Sequence, residues 1–154
     1  MPLQLIHPAV VHFPIVFIIS LLAVDSFALV KGIPLTGDTS LGRASIILAA
    51  SAAIFAIIVY FFGDQAFDIA LAAGTPDSIL EPHVAMGTVT AAAIAVWGLL
   101  RGAGFWRGLS VQGGWTALVV LVEIVLVVMV LAAAFLGGQL VYEHGVAVVA
   151  KLGG

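Results

Sequence analysis

Cysteine is absent from this 154-residue chain. That excludes disulfides, thiolate metal ligands, iron–sulfur clusters and covalent c-type haem attachment. Charge is almost as scarce: 8% of residues are Asp, Glu, Lys or Arg, against about 25% in a soluble domain. Five basic residues and a net charge of −3 leave too little to neutralise phosphates, so no nucleic acid is expected as a partner. The opening Met-Pro-Leu-Gln-Leu-Ile lacks the positive n-region of a secretory signal, and the first apolar run is read as a permanent span. No phosphate-binding glycine loop and no nucleophile with a base is seen. Catalytic residues are therefore none, and an electron-transfer or binding protein is expected rather than a stand-alone enzyme.

What is abundant is hydrocarbon. With 63% hydrophobic residues and a mean hydropathy of +1.27, the solvent of this chain is the lipid bilayer. A spanning helix needs about 20 mostly apolar residues. Four stretches qualify, at 10–30, 44–63, 83–100 and 115–136, joined by an outer loop at 64–82, in which Ala66 to Ala73 is apolar enough for a short helix on the outer interface, and followed by a tail at 137–154. The expected fold is all-α, an integral membrane four-helix bundle of up-and-down order forming a single domain. Lys31, Arg43, Arg101 and Arg107 fall in the two connections at one end, which the positive-inside rule makes cytoplasmic. Both termini then lie outside, in a multi-pass protein of a bacterial inner membrane. Trp97, Trp106 and Trp115 gather near the cytoplasmic boundary, where aromatic belts form.

On that topology all four histidines, His7, His12, His83 and His144, share the outer side. An imidazole at the edge of hydrocarbon needs a partner, because burying an unsatisfied polar group costs roughly 2–7 kcal/mol. His12 lies about one turn inside the first span, where Pro14 withholds a backbone donor. His83 opens the third span at similar depth, and the first and third helices of such a bundle face across a diagonal. Two opposed imidazoles suit the axial positions of a haem iron, and Gly87, one turn from His83, leaves room for a flat macrocycle. His7 and His144 return to the same surface and would cap that site or hold a second cofactor. Within the membrane, Asp25 and Glu123 fall at similar depth, each costing at least about 2.5–3.5 kcal/mol if ionised and alone. They would share a proton path or find local partners such as Ser51 or Thr90.

These residues resemble the DUF2231 family of small bacterial integral membrane proteins. The likeness is carried by His7-Pro8-x-x-Val11-His12-Phe13-Pro14-Ile15, by Gly63-Asp64 closing the second span, by His83 with Gly87, and by Gly137-Gly138-x-Leu140-Val141-Tyr142-x-x-Gly145-Val146. The last motif adds Tyr142 to the candidate residues. The family's acid after the second span corresponds to Asp64 or Asp68. The resemblance supplies no activity, but it implies relatives beside electron-transfer modules. The expectation is accordingly a b-type haem protein near the outer leaflet, with His12 and His83 as iron ligands and a periplasmic electron carrier or quinone as partner. The alternatives are copper or zinc bound by the histidines with Asp64 or Glu143, or a non-catalytic subunit of a larger membrane complex.

Overall fold

The computed structural model describes residues 6–146 and residue 148. Five helices follow in order: α1 (Ile6–Val10), α2 (His12–Lys31), α3 (Ser40–Ala72), α4 (Asp77–Trp106) and α5 (Gly114–Tyr142). The first two make one span. Pro14 has no N–H for the carbonyl of Val10, which loosens the helix at Val11. Val11 nonetheless keeps helical angles (φ −59°, ψ −26°) and donates to the carbonyl of His7 at 3.0 Å. Four units, Ile6–Lys31, Ser40–Ala72, Asp77–Trp106 and Gly114–Tyr142, are each long and apolar enough to cross a membrane. The α2 helix packs on α3 and α5, α4 packs on the same two, and α2 and α4 stand across the diagonal. No strand occurs among the described residues, only one isolated bridge. The chain is the all-α bundle of four spans that its hydropathy predicts.

The helices overrun the expected boundaries. Residues 64–82, read as a loop with a short helix from Ala66 to Ala73, are mostly continuous with the spans: α3 runs through Gly63 and Asp64 to Ala72, and only residues 73–76 connect it to α4. The extension is held by packing, since Ala70 and Leu80 are buried. Pro82 sits in the second turn of α4, where it withholds only the bond that Ser78 would have accepted. Similarly, α4 runs past Arg101-Gly102 to Trp106, and α5 passes through Gly137-Gly138 to Tyr142, so the tail begins later than expected. Thirty-three residues at 1.5 Å each make α3 about 50 Å long, well beyond the roughly 30 Å of hydrocarbon.

A two-fold relation between the halves organises the bundle. Asp25 and Arg101 are 76 residues apart, and the same step relates other landmarks of the first and second halves. Gly32 and Gly108 both take left-handed angles (φ 65° and 67°) and close α2 and α4 with matching bonds, Gly32 and Ile33 donating to Leu29 and Ala28, Gly108 and Leu109 to Phe105 and Gly104. This is the six-to-one Schellman closure that favours glycine. Leu35 and Val111, again equivalent, exchange hydrogen bonds at 2.9 and 3.4 Å, so the two connections meet on the axis. In the second helix of each half, Gly42, Ser45, Ala49, Ala52 and Ala56 are buried at the same steps as Thr116, Val119, Glu123, Leu126 and Val130.

Between lipid-solvated helices there is no hydrophobic drive, so close packing of small residues holds them. Ala49, Ala52 and Ala56 of α3 pack with Ile18, Leu21, Ile94, Leu126 and Val130. At Gly98 the approach of α4 to α3 is so tight that an added Cβ would lie 2.5 Å from the Ala53 Cβ and 2.9 Å from the Ala49 carbonyl.

Candidate functional site

The outer end expected from the sequence carries a pair of imidazoles, but the pair is His7 with His83. Their ring centres are 6.1 Å apart and their planes cross at 78°. The two are equivalent under the internal two-fold, and so are their supports. His7 Nδ1 donates to the carbonyl of Val59 on α3 at 3.1 Å, and His83 Nδ1 donates to the carbonyl of Ala133 on α5 at 3.1 Å. One turn further along each of those helices is a glycine whose missing side chain makes room for the ring. A Cβ on Gly63 would stand 3.0 Å from His7 Cε1, and one on Gly137 would stand 2.9 Å from His83 Cε1.

A carbonyl only accepts, so in both neutral rings Nδ1 carries the hydrogen and Nε2 carries the lone pair. Among the described residues neither Nε2 has a protein partner. Fixing a tautomer through a carbonyl is what the outer shell of a metal-ligating histidine does. Metal–nitrogen bonds of about 2.0–2.1 Å, with about 1.1 Å from each nitrogen to its ring centre, put the rings about 6 Å apart for opposite positions on an ion and about 5 Å apart for a tetrahedral angle. The observed 6.1 Å is a distance that two rings sharing one ion can have.

The other sequence candidates lie elsewhere. His12 is exposed and lines a cavity of about 290 Å³ with Ala9, Phe13, Val16 and Phe17. It is not brought to His83, because the helix turns it a different way from His7 and its equivalent in the second half is Thr88. His144 is exposed and borders a cavity of about 230 Å³ together with His83 and Glu143. Gly87 leaves open space: a Cβ built there would meet no atom within 4 Å. Asp64 and Asp68 are exposed on the extension of α3, and Tyr142 is 90% exposed. No group of three or more His, Asp or Glu that could hold a metal ion occurs among the described residues.

At the opposite end, Asp25 and Glu123 do meet, through a residue the sequence reading assigned to a loop. Arg101 Nη1 donates to Asp25 Oδ2 at 2.6 Å and to Glu123 Oε1 at 2.7 Å. Its Nη2 bonds the Ser45 hydroxyl. Trp97 Nε1 donates to the same Glu123 oxygen at 3.3 Å, and its ring faces the guanidinium at 5.8 Å. Neither Ser51 nor Thr90 serves Glu123; the Thr90 hydroxyl bonds the Met86 carbonyl. All four spans contribute one or more of these residues. Ser45 and Val59 on α3 mark the two sites, and fourteen residues of rise separate them by about 21 Å along the bundle. The only sequence signal for Arg101 was an unpaired acid at its depth on two other helices.

No curated protein and no solved structure matches the chain. The family model described as a predicted membrane protein, DUF2231, matches residues 4–150, and the chain belongs to that family.

Proposed function

We propose that this protein is a membrane-embedded b-type haem protein of electron transfer, in which His7 and His83 would hold the haem iron. The observation that carries the reading is the pair of tautomer-locked imidazoles 6.1 Å apart, at equivalent places of the two halves. Two histidines alone do not complete the coordination of zinc, which takes four ligands. A haem supplies four nitrogens of its own and asks the protein for two. Bound there, it would supply one-electron chemistry. The chain's part would be to hold two imidazoles close together and to fix each ring through a backbone carbonyl.

The basic residues support the side. Arg101 is committed to the buried cluster, but Lys31, Arg43 and Arg107 remain at the end with the longer connections. With that end cytoplasmic, the histidine pair belongs to the outer half of an inner membrane, within reach of a periplasmic carrier or a quinone. A copper ion held by the same two imidazoles is the second reading, favoured by their closeness.

Reduced-minus-oxidised absorption spectra of the purified protein, produced with haem in supply, test the proposal. A b-type alpha band is expected, abolished by His7→Ala or His83→Ala and kept in His12→Ala. A protein without haem overturns it, as does a band that survives both of the first two substitutions. Stoichiometric copper in the haem-free protein would favour the second reading.

A further inference from the structure

We propose that the Arg101 cluster is a binding site for one exchangeable proton, shared between Asp25 and Glu123. It is independent of the haem reading and lies in the other half of the bundle. The charged and polar groups that meet there are Asp25 from α2, Ser45 from α3, Trp97 and Arg101 from α4, and Glu123 from α5. Two carboxyl groups face one guanidinium. Fully ionised, the set would carry an unbalanced negative charge, with Asp25, Ser45 and Glu123 at 0% exposure. Lipid and packed helices offer that charge no solvation. One added proton makes the set neutral.

The hydrogen bonds point to the same count. Each acid gives one oxygen to the same Nη1, and the remaining oxygens, Asp25 Oδ1 and Glu123 Oε2, are buried without a partner. With both bonded oxygens within 2.7 Å of one nitrogen, the two carboxyl groups are close neighbours. An acid next to a carboxylate can bond through a proton, whereas two carboxylates can only repel. Arg101 and Trp97 are the members with any exposure, the Arg101 side chain being 11% accessible. Exchange with water is open to the cluster beside these two side chains.

The internal two-fold sharpens the assignment. Its equivalents of Ser45 and Glu123 are Val119 and Ala49, so the second acid is an addition to a balanced Asp25–Arg101 pair. Removing either acid should then discharge the site completely, because the remaining acid balances Arg101 by itself.

Infrared spectroscopy of the full chain in vesicles of phosphatidylethanolamine and phosphatidylglycerol tests this. At neutral to mildly alkaline pH the exposed carboxyls are ionised, and one protonated-carboxyl stretch per chain, sensitive to deuterium exchange, is expected. Asp25→Asn and Glu123→Gln should each remove that whole band while circular dichroism keeps the helix signal. A wild-type spectrum without the band overturns the proposal, and so does a full band in Asp25→Asn. Loss of the wild-type band on adding sodium at constant pH would also overturn it, in favour of a small-cation site. The wild-type arms need no variant to fold.

Discussion

Asp25 and Arg101 occupy equivalent turns of the two halves of this protein, and their side chains meet across the internal axis at 2.6 Å. The symmetry puts an acid and a base where a symmetric pair would place two like residues. The same axis carries His7 opposite His83 and Leu35 opposite Val111. Symmetric positions hold the histidines; broken symmetry holds the charges.

Arg101→Ala should be the most damaging single change in the bundle. It strands two buried carboxyls, and breaking a buried ion pair from one side costs about 3–5 kcal/mol. Thermal unfolding in detergent should show the loss. The combined variant Asp25→Leu, Arg101→Met, Glu123→Met should recover at least half of it, since apolar replacements of whole buried ion clusters are often neutral. Equal instability of the single and combined variants would contradict the account.

Gly137→Ala should push the His83 ring off the Ala133 carbonyl, because the new Cβ would stand 2.9 Å from Cε1. Gly63→Ala should do the same to His7. Loss of such a supporting bond typically lowers metal affinity about 10–100-fold, readable as haem affinity by titration. Gly138→Ala, whose Cβ meets nothing within 4 Å, should bind as the wild type does. Indistinguishable affinities for all three would show that the glycines do not seat the rings.

Gly98→Ala should force α4 away from α3. Both of its nearest neighbours, the Ala53 Cβ and the Ala49 carbonyl, sit on backbone and cannot swing aside. Overpacking of this kind costs about 1–3 kcal/mol, and the melting temperature in detergent should fall accordingly. An unchanged value would mean the helices slide apart freely.

Gly32→Ala and Gly108→Ala should cost equal amounts, about 1–2 kcal/mol each, because each places a Cβ in the left-handed region on the same helix closure. The two effects should add in the double variant. A large difference between them would show that the matching turns are not under matching constraint.

Hydropathy alone was enough for the four spans, since a run of about 20 apolar residues has no other stable home than lipid. It could not locate their ends. Ala66 to Ala73 is apolar enough to suggest a separate short helix on the interface, and only the burial of Ala70 and Leu80 shows that α3 and α4 themselves continue there. Choosing among the histidines also failed locally. Span depth favoured His12, whereas the ring beside His83 is that of His7, seated against a glycine 56 positions away on another helix.

The sequence by itself determined the solvent, the number and order of the helices, the absence of thiol chemistry, and the presence of acids too costly to leave alone in hydrocarbon. Those are properties of composition and of local runs, which need no neighbour to be read. The tertiary structure decided which imidazoles pair, that Arg101 turns inward to join Asp25 and Glu123, and that the two halves repeat. Each of these depends on which faces of distant helices oppose one another, and that is fixed by packing of small residues across the bundle rather than by any stretch of the chain.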